Sequence, residues 1–162
     1  MRAAVLTIST SKAAGAGEDE SGPRLEQLAR ELGAGSVSRE VIADDRAAIE
    51  ERLRHWTQAG CALVLTTGGT GLAADDVTPE ATLSVLDRQA PGIAEAMRLA
   101  SRAHTEHWML SRGVAGVSAR TLIVNFPGSP SAIVQVAAEL RPSLRHALEL
   151  IDGAAGSHHR HA

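Results

Sequence analysis

Apolar residues along this chain follow two rhythms that take turns. Arg2 to Ser9 is almost continuously apolar and predicts a buried first strand. Thr10 to Ser21 holds small and polar residues and reads as a loop. Ser21-Gly22-Pro23 then offers a helix start, and Leu25, Leu28, Ala29 and Leu32 lie on one helical face that Gly33 ends. Ser36 to Ile42 alternates and predicts a second strand. Asp45 is placed to cap a helix whose inner face is Ile49, Leu53 and Trp56, up to Gly60. A strand over Cys61 to Thr66 follows, and Thr78-Pro79-Glu80 reads as a helix start with Thr78 as its cap. A helix from Pro91 carries Ile93, Met97 and Ala100, and Arg120 to Phe126 is a further strand. The last helical stretch runs from Ile133 to Ile151, and Pro142 should break or kink it.

Strands alternating with amphipathic helices predict βαβ units and a mostly parallel sheet covered on both faces, an α/β fold. At 162 residues the chain suits one domain, taken as residues 1–152, with 153–162 as a flexible tail. His158, His159 and His161 in that tail are metal-ligand types, but a stretch without an apolar face is expected to fray.

Composition narrows the function. The formal charge is -3 and there is no basic block, which argues against nucleic-acid partners. Trp56, Trp108 and Phe126 are too few for a base-stacking platform. No apolar run is long enough to span a membrane, and a single cysteine, Cys61, cannot form an internal disulfide. A soluble cytoplasmic protein with a small buried thiol is the expectation.

Ligands of open α/β sheets bind beyond the carboxyl ends of the strands. The richest such place is Thr67-Gly68-Gly69-Thr70-Gly71, followed by Asp75 and Asp76. Glycines there let backbone amides approach an anion and form a nest, and the threonines add hydroxyl donors. A carboxylate beside a phosphate nest needs a cation between them, and magnesium held by one or two carboxylates plus phosphate oxygens is the usual one. Asp44, at the end of the preceding strand, is the candidate second carboxylate. Ser111 and Arg112 add a hydroxyl and a guanidinium. Pro127-Gly128-Ser129-Pro130 is a further tight strand-to-helix turn. No Gly-x-Gly-x-x-Gly or Gly-Lys-Ser/Thr motif is present, so neither a dinucleotide fold nor a P-loop is supported.

Taken together, Thr66–Gly71, Asp76-Val77-Thr78-Pro79-Glu80-Ala81, Met109-Leu110-Ser111-Arg112 and Pro127–Pro130 resemble the MogA/MoaB family of molybdenum-cofactor biosynthesis. Ala14-Gly15, Glu18 to Pro23 and Val41 to Asp45 agree, so the resemblance covers about the first 150 residues in order. It implies a three-layer αβα fold and a molybdopterin adenylyltransferase, which transfers AMP from ATP to the terminal phosphate of molybdopterin and releases pyrophosphate. A MoaB-like protein that binds molybdopterin without turnover is the alternative. The family's two functional aspartates fall on Asp44 and Asp76, as catalytic and magnesium-binding residues. Its substrate-binding segments fall on Thr67, Gly68, Gly69, Thr70 and Gly71, on Ser111 and Arg112, and on Pro127, Gly128, Ser129 and Pro130. A homotrimer or homohexamer and a molybdate-insertion enzyme as partner are also implied. Three positions depart from the family: Thr10 where an aspartate is usual, Ala43 where a proline is, and Asp75 where an arginine is common. Lys12 and Arg112 are the cations placed to compensate for Asp75.

Overall fold

The computed structural model describes residues 1–153; the histidines of the tail lie outside the described residues. Six strands form one sheet. They are β1 (Arg2–Ile8), β2 (Ser36–Ile42), β3 (Leu63–Thr67), β4 (Arg88–Gln89), β5 (Ala115–Ser118) and β6 (Thr121–Phe126). Their order across the sheet is β2-β1-β3-β6-β5-β4. The first four of these are mutually parallel, and β5 and β4 extend the β6 edge in antiparallel fashion. Among the described residues the α-helices are α1 (Thr10–Ala13), α2 (Ser21–Glu31), α3 (Arg46–Gln58), α4 (Thr78–Leu83), α5 (Pro91–Ser101) and α6 (Pro130–Asp152), with a 3-10 turn at Trp108–Leu110.

Alternation along the central strands sorts the core into two layers, one on each face of the sheet. Ala3, Val5, Leu63, Leu65, Leu122 and Val124 pack with α2, α5 and α6. Ala4, Leu6, Ile8, Val64 and Ile123 point the other way, onto Ile49 and Leu53 of α3 and Ala81 of α4. The result is the expected three-layer αβα arrangement. Cys61 is buried in the second layer, and burial pushes its thiol above the usual range, so it is an inert packing group. No described helix is long and apolar enough to cross a membrane.

The structure refines the local reading in four places. Thr10–Ala13 is a short helix rather than loop, capped by the Ser9 hydroxyl. Thr78 is not the cap of α4; Val77 precedes the helix, and the buried Thr78 hydroxyl turns inward to donate to the Gly68 carbonyl. Pro142 neither breaks nor ends α6, which runs through it. Here burial of Leu140, Leu144 and Leu148 against the sheet outweighs the proline's local cost. The short strands β4 and β5 gave no readable rhythm, because pairing of β5 with β6 and of β4 with β5, not an apolar pattern, makes them strands.

The parallel strands all point their carboxyl ends one way. The chain leaves β1 for β2 on one side and returns across it to β3 on the other, so β1 and β3 flank the point where the winding reverses. That is where a crevice opens in such sheets. Behind it, the buried Asn125 of β6 donates to the hydroxyls of Thr66 (2.9 Å) and Thr82 (3.0 Å). Its carbonyl oxygen accepts from the Val114 amide at 3.2 Å. Asn125→Ala leaves those buried groups without a partner and should cost about 2–3 kcal/mol. The check is urea unfolding, with a lowered midpoint and an unchanged slope.

Candidate functional site

The turn after β3 lies at the carboxyl end of the parallel strands. Gly68 and Gly69 have φ of 94° and 64°, a backbone conformation that side chains disfavour. Space forbids side chains there as well. A Cβ on Gly68 would run into the Ile8 carbonyl oxygen, and one on Gly69 into the Thr78 hydroxyl. The turn is held from below by protein groups. Thr78 donates its hydroxyl to the Gly68 carbonyl (3.0 Å) and its amide to that of Gly69 (3.1 Å). The Thr67 hydroxyl donates to the Pro127 carbonyl at 2.7 Å, tying this turn to the one after β6. With its carbonyls thus engaged, the turn keeps its amides outward. Among the described residues, those of Gly69, Thr70 and Gly71 donate to no protein group. The hydroxyls of Thr70 and Ser111 are likewise without protein partners among the described residues.

Both aspartates singled out in the sequence border this turn. Asp44 Oδ1 lies 3.2 Å from where a Cβ on Gly69 would sit, and Asp76 Oδ2 lies 2.7 Å from the corresponding point on Gly71. The two carboxylates therefore approach glycines two positions apart. Asp44 is anchored through Oδ2, which accepts from the Thr10 amide (2.8 Å) and the Thr10 hydroxyl (2.9 Å). Asp76 is anchored through Oδ2, which accepts from the Ala73 amide at 2.9 Å. Asp45 does what its position suggests and caps α3 by accepting from the Ala48 amide at 2.8 Å.

Arg112 is placed differently from the expectation of a free phosphate ligand. Its amide donates to the Thr70 carbonyl (2.9 Å) and its Nε to the Gly71 carbonyl (2.7 Å). One Nη donates to the Asp76 carbonyl at 2.6 Å, and the other pairs with the Glu80 carboxylate. Its side-chain bonds run to three points on the segment that carries Asp76. Lys12 is also engaged, donating to the Glu18 carbonyl. Asp75 itself is exposed, and no ion pair joins it to either cation among the described residues.

The turn after β6 packs against the turn after β3. Gly128 packs against Gly68, where a Cβ would meet its Cα at 3.6 Å, and its carbonyl accepts from the buried Ser21 hydroxyl at 2.7 Å. Ser129 is the N-cap of α6, and Pro130 is its first residue. The sites at β1, β2, β3 and β6 thus share one end of the sheet.

The sequence matches the family described as probable molybdopterin binding domain over residues 4–146. The chain belongs to that family. It is the MogA/MoaB group that the motifs resemble. Over 152 residues it is 37% identical to the molybdopterin adenylyltransferase of Helicobacter pylori J99, covering 92% of this chain and 86% of that one. It is 39% identical to the molybdenum cofactor synthesis protein cinnamon of Drosophila melanogaster over 149 residues, 91% of this chain but 25% of that longer protein. Among solved structures, MogA superposes with a TM-score of 0.89 at 39% identity, covering 93% of this chain and 99% of that one.

Within this member of the family, several residues near the glycine turn lie in motifs the sequence shows, but their partners are not readable there. Thr78 reads as an ordinary cap, yet it props up the glycine turn. Asp19 reads as part of a polar loop, yet it accepts from the Thr7 hydroxyl (2.8 Å) and the Gly22 amide (2.9 Å), joining β1 to α2. Glu80 reads as a first-turn acid favourable to the helix dipole, yet it is the partner of Arg112.

The residues suit a divalent cation that is shared with a ligand. No group of three acidic, histidine or cysteine side chains capable of holding a metal occurs among the described residues. Two carboxylates, each with one oxygen free of protein hydrogen bonds among the described residues, fit magnesium completed by phosphate oxygens and water.

Two measurements bear on this geometry. Gly68→Ala forces a side chain against the Ile8 carbonyl at positive φ and should cost about 2–3 kcal/mol in urea unfolding. The Arg112 hydrogen bond holds the Glu80 carboxyl below its usual range. A depressed carboxylate stabilises the fold above its unfolded pKa, and that contribution is lost as pH falls through the folded value. Between about pH 6 and about pH 3 the native chain should therefore lose more stability than Glu80→Gln, as read from unfolding midpoints across pH.

Proposed function

We propose that this protein is a molybdopterin adenylyltransferase. It joins the AMP moiety of ATP to the terminal phosphate of molybdopterin. The observation that carries this reading is the glycine turn itself: open amides at Gly69, Thr70 and Gly71 with the carboxylates of Asp44 and Asp76 beside them. Open amides select an anion, and adjacent carboxylates tolerate that anion only together with a cation. A magnesium–triphosphate complex meets both demands. The identity to adenylyltransferases of similar length supports the same choice.

In the reaction, an oxygen of the molybdopterin phosphate forms a bond to the α-phosphorus of ATP as the bond to the bridging oxygen of pyrophosphate breaks. Such a transfer depends on holding the reactants in line and on countering phosphate charge, and it needs no nucleophilic side chain. Magnesium, when bound, neutralises phosphate charge, and Asp44 and Asp76 are the residues that would hold it. The amides of Gly69, Thr70 and Gly71 orient phosphate oxygens. The hydroxyls of Thr70 and Ser111 stand free to donate to substrate. Thr67 and Arg112 keep the turn and the Asp76 segment in place, and Pro127–Pro130 forms the opposite wall. Assembly as a homotrimer or homohexamer and delivery of product to a molybdate-insertion enzyme belong to the same reading, supported by family membership.

Pyrophosphate release from ATP and magnesium should require molybdopterin. Asp76→Ala should lower its rate by about a hundredfold or more, as loss of one charge-stabilising group at a reacting centre does. Tight molybdopterin binding with no pyrophosphate released would instead make the protein a pterin-binding member of its family.

A further inference from the structure

Asp44 owes its orientation to one neighbour at the start of α1, just beyond β1. Thr10 follows β1 and Asp44 follows β2, and three hydrogen bonds join them. The Thr10 amide and hydroxyl both donate to Asp44 Oδ2, at 2.8 and 2.9 Å. The Asp44 amide donates back to the Thr10 hydroxyl at 3.0 Å. The hydroxyl is thus donor and acceptor at once, so its proton has a single useful direction. Just before this pair, the Ser9 amide donates to the Ile42 carbonyl at 2.8 Å, which fixes the two strand ends in register.

The consequence is a carboxylate with two unlike oxygens. Oδ2 is occupied by two donors. Oδ1 takes no hydrogen bond from the described residues and is the oxygen that approaches Gly69. Ordinary rotation about the side chain would exchange or displace these oxygens at little cost, because Asp44 is only partly buried. Thr10 removes that freedom. We propose that Thr10 is a positioning residue that commits Asp44 Oδ1 to the metal–triphosphate position of the crevice. The proposal rests on the adenylyltransferase reading of the same site. It also gives a physical meaning to a threonine where the family usually carries an aspartate. A hydroxyl there supplies Asp44 with a donor, whereas an ionised carboxylate at the same place has no proton to give.

Thr10→Val keeps the amide and the shape but deletes the hydroxyl, and Thr10→Ser restores it. The probe is Mn2+ with α,β-methylene-ATP, which cannot release pyrophosphate, titrated onto the full chain and followed by water-proton relaxation. Thr10→Val should weaken binding of this complex about tenfold, the scale of one hydrogen bond to a charged group. Thr10→Ser should bind like the native protein. In turnover, the magnesium concentration giving half the maximal rate should rise by a similar factor in Thr10→Val, with kcat at saturating metal little changed. Thr10 is exposed, so the unfolding midpoint should stay put, and a large drop there would reveal a merely structural residue and overturn the proposal. Native affinity in Thr10→Val, or a Thr10→Ser as weak as Thr10→Val, would also overturn it. If the native chain binds the complex and Thr10→Val does not, yet no pyrophosphate is ever released, positioning stands and adenylyl transfer falls. If the native chain does not bind the complex at all, both fall.

Discussion

The crevice depends on a steric squeeze at Gly68. The residue is wedged between the Ile8 carbonyl at the end of β1 and the Gly128 turn after β6, with no room for a Cβ on the β1 side. Three segments far apart in sequence can meet this closely only where their backbones touch without side chains between them. That contact brings the ends of β1, β3 and β6 to one point. It also turns the backbone over, so that the carbonyls of Gly68 and Gly69 face Thr78 and the next amides face outward. The open amides are a product of packing, and the same packing sets the rim on which Asp44 and Asp76 stand.

Charge at the site is divided between what the protein satisfies and what it leaves for a ligand. Arg112 spends its guanidinium on two carbonyls and one carboxylate, so it works as a strut for the Asp76 segment. Such a strut suits arginine, whose planar fork reaches several acceptors in fixed directions while remaining charged. Asp44 and Asp76 lack a comparable ion-pair partner among the described residues. A chain of net charge -3 thus concentrates unpaired carboxylates beside unpaired amides. In the proposed function a phosphate with its cation would resolve both, which neither an anion nor a cation does alone. The buried Asn125 cluster ties the strand ends together, since each of its polar groups is already matched.

The amino-acid sequence by itself determined the layers, the order of the main elements and the loops that carry the chemistry. It could do so because buried strands and amphipathic helices write their burial as a repeat, and because clusters of glycine, proline and aspartate mark the strand ends. Asp44 and Asp76 were legible as strand-end carboxylates for the same reason, and folding set each of them beside the glycine turn. Tertiary structure decided what each polar residue does. Arg112 and Thr78 resemble a surface cation and a helix cap in one dimension, and the acceptors that claim them, on Gly68, Gly71, Asp76 and Glu80, are brought near only by folding. Likewise β5 exists because β6 offers it an edge and β4 because β5 does, and Thr10 meets Asp44 across 34 positions of chain. Periodicity records which face of an element is buried. A hydrogen bond between distant residues leaves no periodic trace, so its partners emerge only when the strands are laid side by side.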